Sequence, residues 1–140
     1  MKVYDATNQI VGRLASRVAK DLLNGEKVVV VNAEKAVLSG GKEKKLKEFR
    51  ERLARGDPIK GPFYSKYPDA IFRRAVRGML PWHKPKGREA FKRLRVYLGE
   101  PEEFKNVQKI RLKEADASKL RIKYITLGDL SLLLGAKKRW

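Results

Sequence analysis

Apolar residues recur every three to four positions in several stretches of this chain, and each such stretch predicts an amphipathic helix. The first stretch runs from residue 9 to residue 24 and should end around the asparagine and glycine at 24–25. It places Leu14 and Val18 on one side of the helix and Arg13 and Arg17 on another. We expect the apolar side to pack in a core and the two arginines to lie on the surface, where they are available to an anionic partner.

The residues on either side of this helix predict β-strands. Residues 2–5 form a short candidate, and residues 27–32 contain four consecutive valines without polar alternation. An uninterrupted apolar run is typical of a parallel strand that is covered on both faces. Strand, helix and strand together predict a right-handed βαβ unit, with Thr7 and Asn8 as candidate caps at the start of the helix.

A second helix is predicted over residues 42–55, with Leu46, Phe49 and Leu53 as its apolar stripe. Its other faces carry seven Lys or Arg and three Glu, which gives 7 − 3 = +4. Such a face is either solvated and held by pairs of opposite charge four residues apart, or in contact with RNA. The pattern favours neither.

Residues 56–68 are rich in glycine and proline and predict a long loop. Three aromatic residues lie in it beside Lys60 and Lys66. A loop of this length in a compact domain is usually functional, so we expect it to contact RNA. The alternative is that the aromatic residues, Phe63 above all, pin the loop to the body of the protein.

The stretch from Ile71 to Gly99 reads as helix, break, helix and strand. Asp69 is a candidate cap for its first helix. A helical arrangement separates an apolar side from a basic side. The apolar side consists of Ile71, Phe72, Ala75, Val76 and Met79, and the basic side consists of Arg73, Arg74 and Arg77.

Proline at position 81 forbids continuation of this helix, because it lacks a backbone donor and its ring clashes with the preceding turn. The break over residues 81–87 combines Trp82 and His83 with Lys84 and Lys86, a composition typical of surfaces that pair with phosphates and stack on bases. The alternatives are that Trp82 packs in the core and that the cations are only solvated.

A second helix is expected to begin at about Arg88, followed by a strand over residues 96–98. Phe91 and Leu94 should point inward, and Arg88, Lys92 and Arg93 should point outward. From residue 71 to residue 95 there are nine Lys or Arg and one Glu, so the local charge is 9 − 1 = +8.

The last part of the chain shows weaker patterns. Residues 101–118 are charged and irregular, with a possible short strand or turn near 110–112. Leu120, Ile122 and Tyr124 alternate with basic residues, which predicts an edge strand. Threonine and aspartate at 126 and 129 form a capping-box pattern before a leucine-rich helix that should end at glycine 135.

Length and charge narrow the range of possible functions. The 140 residues fit one domain, 1–140, and 34 Lys or Arg against 16 Asp or Glu give a formal net charge of +18. So large a positive charge indicates a polyanionic partner, while 42% hydrophobic residues indicate a folded chain. The absence of cysteine excludes disulfides and thiolate metal sites. With no apolar run of about 20 residues, we expect no membrane partner and a cytosolic location.

Nucleotide-binding motifs are incomplete. The turn after the first predicted strand contains one glycine instead of the pattern G-x-G-x-x-G. The segment Ser39-Gly40-Gly41-Lys42 suggests a phosphate loop but lacks the first glycine and the magnesium-binding hydroxyl of that motif. A plain turn at the start of a helix fits better. A third possibility is that its glycine amides and lysine hold an RNA phosphate.

Catalytic chemistry also lacks candidates. His83 is the one histidine of the chain, and no carboxylate lies near it in the sequence. Asp5, at the end of the first predicted strand, more commonly bonds the following turn. We therefore expect no enzyme, no catalytic residue, no metal, no cofactor and no small-molecule substrate. Charge alone would also permit a DNA-compacting or membrane-surface protein, although neither explains the ordered α/β pattern.

Several motifs in this order resemble those of the large-subunit ribosomal protein 13 family, over roughly residues 3–101. The motifs are Gly12-Arg13-Leu14-Ala15-Ser16, Val31-Asn32-Ala33-Glu34-Lys35, Lys60-Gly61-Pro62, Arg77-Gly78-Met79-Leu80-Pro81, Gly87-Arg88, and Val96-Tyr97 with Gly99. Glu100-Pro101-Glu102-Glu103-Phe104 replaces the His-Pro-His and Ala-Gln segment that is usual in the bacterial branch. The chain therefore resembles the archaeal and eukaryotic branch.

The pattern of elements predicts a three-layer α/β/α domain with a small, mostly parallel sheet and a basic loop and helix extension, and the resemblance implies the same fold. It further implies a non-catalytic constituent of the large ribosomal subunit in the cytoplasm. Its partners would be large-subunit ribosomal RNA, whose folding it would support during assembly, and neighbouring ribosomal proteins. The candidate RNA-binding residues are Arg13, Arg17, Lys42, Lys44, Lys45, Lys60, Lys66, Arg73, Arg74, Arg77, Trp82, His83, Lys84, Lys86, Arg88, Lys92 and Arg93.

Overall fold

The structure is a computed structural model and describes residues 1–55, 59 and 64–140. The strands within these residues are β1 (Lys2–Asp5), β2 (Val28–Val31), β3 (Val37–Ser39), β4 (Leu94–Val96) and β5 (Tyr124–Thr126). The α-helices are α1 (Val11–Leu23), α2 (Lys42–Ala54), α3 (Pro68–Arg77), α4 (Pro85–Lys92) and α5 (Leu127–Leu133).

The larger sheet has the order β1-β2-β4, and both strand pairs are parallel. Val29 lies opposite Val3 on one side and Arg95 on the other. All four valines of β2 are buried, as the uninterrupted apolar run predicts for a central strand with both faces covered. The expected unit of strand, helix and parallel strand is confirmed.

One face of this sheet packs against α1, α3 and α4. Leu14 and Val18 of α1 and Phe72 and Val76 of α3 are completely buried in this core, together with Leu94 of β4. The apolar sides predicted for the two helices are therefore the sides that pack, and their arginines are left on the outside.

The other face is covered by a short 3₁₀ turn, Glu102–Phe104. Phe104 packs against Val3, Val29 and Val31 of the sheet, and its ring centre lies 5.7 Å from that of Tyr97. The third layer is thus made by a 3₁₀ turn and a loop. The predicted α/β domain with a small, mostly parallel sheet is confirmed.

The irregular segment 101–118 also extends the sheet at its edge. The main-chain N–H of Ile110 donates to Val3 at 2.8 Å, and Asp5 donates to Ile110 at 3.1 Å. These bonds make a parallel bridge between Tyr4 and Ile110. Of the short strand or turn expected near residues 110–112, the strand alternative is therefore present as a single bridge.

A second sheet consists of β3 and β5, paired antiparallel. Ile125 of β5 lies opposite Leu38 and packs with Leu130 and Leu134 of the following segment. Helix α2 packs against this cluster through a half-buried stripe, and no residue of α2 is fully buried.

The alternation predicted for the edge strand has the wrong register. The alternation groups Ile122 and Tyr124 on the apolar side of the strand, but they are 62% and 47% exposed, whereas Ile125 is 7% exposed. The pairing of β5 with β3 and the immediate start of α5 decide which residue faces inward. A six-residue alternation cannot reveal either constraint.

Several predicted helix starts also require correction. Ile10 precedes α1 without a side-chain cap, while Thr7 bonds the Asp5 carboxylate through its main-chain N–H at 3.0 Å. Asp69 is the second residue of α3 and does not cap it, because Pro68 already occupies the first position. The threonine cap of the capping-box pattern at the start of α5 is confirmed, since Thr126 accepts from the Asp129 N–H at 3.2 Å.

Several boundaries in the 71–99 stretch differ from those expected, including that of the strand expected over residues 96–98, which is β4 (Leu94–Val96). Helix α3 ends at Arg77, so Met79 lies beyond it and is 43% exposed. Helix α4 begins at Pro85 instead of near Arg88, because the fixed φ of proline suits the first helical position. Leu94, expected on that helix, is a buried residue of β4. No helix in the described part of the chain is long and apolar enough to cross a bilayer.

Candidate nucleic-acid interface

Each arginine of α3 lies over an aromatic ring. The guanidinium carbon of Arg73 is 5.0 Å from the ring centre of Phe91, and that of Arg77 is 4.3 Å from the ring centre of Trp82. Arg74 lies 4.1 Å above the ring of Tyr64. A guanidinium held against a ring loses conformational freedom but keeps N–H groups at its edge for an anion. The row is therefore more ordered than a freely solvated basic face.

The break between α3 and α4 is a tightly bonded turn. The main-chain N–H of Trp82 donates to Leu80 at 2.8 Å, and that of Lys84 donates to Pro81 at 3.0 Å. Gly87 is buried, and a Cβ at this position would collide with the Pro81 carbonyl oxygen. Glycine at position 87 thus lets the start of α4 close directly onto the break.

Trp82 is neither a core residue nor a free stacking platform. Its half-buried ring meets the ring of Phe91 in an edge arrangement, with centres 5.3 Å apart and planes at 79°. Arg77 covers it as well. The Arg88 side chain donates to the Trp82 carbonyl at 3.1 Å. The indole consequently restricts the conformation of the Arg77 side chain.

The other polar residues near the break are accessible. His83, Lys84, Lys86, Arg88 and Lys92 are exposed. Within the described residues, none of these side chains forms an ion pair with a carboxylate. The positive charge of Lys84, Lys86, Arg88 and Lys92 is therefore not balanced by acidic residues in the described part of the chain, which favours an external anion.

Arg93 does not point outward as predicted. Its side chain is half-buried, and Nη2 donates to the carbonyl oxygen of Leu22 at 2.5 Å. This carbonyl lies in the last turn of α1, where a cation is favoured by the helix dipole. The contact spans 71 residues of sequence, so helical periodicity around residue 93 could not predict it.

Arg13 and Arg17 belong to a separate basic surface. They line an open cavity of about 580 Å³ with Lys20 and Lys119. The Arg13 side chain donates to the Glu114 carbonyl at 3.0 Å. Lys119 was missed by sequence reasoning, because nothing in the irregular segment before it indicates that it lies beside α1.

The buried carboxylate of Asp21 positions Arg17 on this surface. Asp21 is 4% exposed and accepts from the Tyr4 hydroxyl, and it forms ion pairs with Lys2 at 3.2 Å and Arg17 at 3.8 Å. Burial, together with the hydrogen bond to Asp21, raises the pKa of Tyr4 to about 12. Arg17 is thus fixed at its inner end by a residue of its own helix.

Helix α2 has cations in ion pairs and cations outside them. Glu48 pairs with Lys45 at 3.4 Å and with Arg52 at 3.1 Å, so these two cations share one acidic partner within the helix. Lys42 and Lys44 are exposed and take no part in such pairs among the described residues.

The loop residues can be followed only in part. Lys60 lies outside the described residues, as does Phe63. Lys66 is exposed. Tyr67 lies 3.7 Å beneath the Arg139 guanidinium, so its ring is in contact with the basic C-terminal segment.

No group of three or more His, Asp or Glu in the part of the chain that the structure describes could hold a metal ion. Asp5 binds Thr7 and Asn32, which is the turn-bonding role expected for it. Although burial raises the pKa of Asp5, the hydrogen bonds from Thr7 and Asn32 outweigh it and lower that pKa below its ordinary value.

The fold and this surface define a basic α/β protein. The chain belongs to the ribosomal protein L13 family, whose sequence model matches residues 1–103. Members of this family are structural proteins of the large ribosomal subunit with a general role in binding ribosomal RNA, and they are not enzymes.

Archaeal relatives are similar over nearly the whole chain. The large ribosomal subunit protein uL13 of Methanopyrus kandleri is 54% identical over 136 residues, which cover 95% of this chain and 86% of the relative. That of Methanosarcina barkeri is 49% identical and covers 98% of this chain and 99% of the relative. That of Archaeoglobus fulgidus is 47% identical over 95% of this chain and 86% of the relative.

Proposed function

We propose that this chain binds large-subunit ribosomal RNA mainly through one surface, the α3 grip, and that it supports folding of that RNA during assembly in the cytoplasm. The α3 grip comprises α3, the break at residues 81–87 and α4. The observation that carries this proposal is that Arg73 and Arg77 are each held over an aromatic ring, with their guanidinium carbons 5.0 and 4.3 Å from the ring centres. Neighbouring ribosomal proteins are the further partners.

The mechanism is electrostatic and steric. Arginines neutralise phosphates and release counterions, and a planar guanidinium grips two phosphate oxygens at once. Because the aromatic rings fix the arginines, the spacing between their positive charges is set before RNA arrives. RNA segments whose phosphates match that spacing should bind best, so RNA shape should matter more than base sequence.

Other predicted residues form secondary contacts in this proposal. Arg13 and Arg17 act from the α1 surface, where Lys20 and Lys119 add positive charge. The candidates from the α2 and loop regions are Lys42, Lys44, Lys45, Lys60 and Lys66. The ion pair of Lys45 with Glu48 makes its contribution smaller. Arg93 is not part of the proposed interface, because its guanidinium donates to a carbonyl oxygen of α1.

We also propose that residues 1–140 fold as one domain. The C-terminal elements are joined to the N-terminal part by main-chain bonds, including that from Leu127 to Ala36 at 2.8 Å. A Cβ at Gly128 would lie 3.0 Å from the Glu34 carbonyl oxygen, so α5 packs directly against the chain after β2. Removal of α5 should therefore expose the core.

The test is RNA affinity measured against salt concentration. If about ten phosphates are contacted, the logarithm of the association constant should fall with the logarithm of salt at a slope of about −7 to −9. A slope near zero would overturn the electrostatic mechanism. Sedimentation of the native protein provides the second measurement, and cofractionation with large subunits is the expected result.

A further inference from the structure

We propose that a cavity at the end of α3 receives one unpaired nucleotide of the bound RNA. The cavity measures about 420 Å³ and is lined by Arg74, Arg77, Gly78, Leu80, Trp82 and His83. The inference rests on the proposed RNA binding and specifies a structural feature of the RNA that this site recognises.

The size and lining suit a nucleotide. Cavities of about 300 to 1,000 Å³ hold small ligands, and those that bind specifically combine an apolar wall with a few placed polar groups. Leu80 and Trp82 supply the apolar wall, and Arg74 and Arg77 supply planar donors. A nucleotide offers a flat base for such a wall and a phosphate for such donors.

The base would stack on Arg77 and not directly on the indole. Arg77 already covers Trp82 at 4.3 Å, and Phe91 meets the indole in an edge arrangement at 5.3 Å. Bases stack on guanidinium planes as well as on aromatic rings. The resulting order is base, guanidinium, indole, with the exposed His83 ring at the rim of the cavity.

The nucleotide must be unpaired. A base within a duplex is covered on both faces by its neighbours, so it cannot place a face against Arg77. A bulged or looped nucleotide can enter, because its base is already free. The cavity also requires little rearrangement, since the break is held by the bond from Trp82 to Leu80 at 2.8 Å and by the close approach of Gly87 to Pro81.

The experiment compares two RNA duplexes of the same sequence, one of which carries a single bulged 2-aminopurine nucleotide. The full chain should bind the bulged duplex about ten-fold more tightly, or better, which is the scale of one stacked base. Fluorescence of 2-aminopurine should fall on binding, because stacking quenches it.

Two variants test the residues of the cavity. Arg77→Lys keeps the charge but removes the planar stacking surface, and it should reduce the preference to less than about three-fold while the salt slope stays the same. His83→Ala changes an exposed residue of the break and should reduce the preference and the quenching without affecting folding. Arg50→Lys, at an exposed position of α2, is the matched control and should keep the full preference.

The outcomes separate this inference from the proposed function. Equal affinity of the wild-type protein for both duplexes would overturn the nucleotide cavity and leave RNA binding in place. A full preference in both Arg77→Lys and His83→Ala would also overturn it. Failure to bind either duplex would overturn the proposed function and the cavity together.

Discussion

Arg93 donates from Nη2 to the carbonyl oxygen of Leu22 at 2.5 Å and thereby joins the residue before β4 to the last turn of α1. Arg93 lies within the most basic part of the sequence, yet its guanidinium binds another part of the same protein. Basic residues in this chain therefore divide into those that stabilise the fold and those that remain for RNA.

This division predicts opposite effects for neighbouring residues. Arg93→Ala should lower the free energy of unfolding by about 1.5 to 3 kcal/mol, because it removes a charged hydrogen bond to a helix end. The exposed Lys92→Ala should leave stability within about 0.5 kcal/mol. Urea denaturation of both variants provides the comparison, and equal stability of the two would show that the Leu22 contact is unimportant.

If RNA binds at the α3 grip, removing positive charge there should weaken RNA binding more than removing it elsewhere. Changing Arg73, Arg74 and Arg77 together to Ala should weaken RNA binding by about 1 to 3 kcal/mol and reduce the salt slope by up to about three phosphate units. The fold should persist with a modest loss of stability, because each cation–π contact is worth about 0.5 to 1 kcal/mol at an exposed site. Filter binding against salt and circular dichroism measure the two effects.

The control for this variant removes the same charge elsewhere. Lys27, Lys105 and Lys113 are exposed and lie outside the proposed interface. Changing these three residues to Ala should have a clearly smaller effect on affinity. If both triple variants lose the same affinity, total charge and not the α3 grip governs binding.

The two sides of α1 should respond differently to substitution. Val18 is completely buried, so Val18→Asp should unfold the protein or destabilise it by several kcal/mol. Arg17→Ala should cost less than about 1 kcal/mol, because Asp21 keeps its bonds to Lys2 and Tyr4, and it should weaken RNA binding. Thermal denaturation measures both, and equal loss of stability would show that the assignment of the two sides is wrong.

Glycine at position 87 should be indispensable for the break. Gly87→Ala should destabilise the protein by about 1 to 3 kcal/mol, because its Cβ would collide with Pro81. Gly12→Ala, in an exposed position of α1 with nothing near its Cβ, should instead stabilise by about 0.5 to 1 kcal/mol. Opposite shifts in melting temperature are expected, and a neutral Gly87→Ala would contradict the close packing.

Tyr4 predicts a loss of stability in alkali. Its folded pKa of about 12 lies above the ordinary value of 10.0, so its stabilising contribution is complete below pH 10 and disappears between about pH 10 and 12. Tyr4→Phe should lessen the loss of stability across this range. In the ultraviolet titration of phenolate, the same change should remove a component with a midpoint of about 12. Persistence of that component in the variant would refute the assignment.

The sequence was sufficient for features that depend on neighbouring residues along the chain. Helical periodicity predicts that Leu14, Val18, Phe72 and Val76 are buried, and the valine run predicts a covered parallel strand. Proline predicts the break after α3. These features follow from local sterics and from the apolar residues of one short segment, so a linear pattern contains them.

Contacts between distant segments could not be predicted in this way. The bond of Arg93 to Leu22 and the position of Lys119 beside α1 join residues far apart in sequence, and the inward position of Ile125 depends on its pairing with β3. Likewise, the sequence shows that Arg73 and Arg77 share a basic side, but folding places them over Phe91 and Trp82. Local patterns specify which residues need burial or solvent. The partner that each residue meets depends on how the helices and strands pack, because many arrangements satisfy the same local pattern.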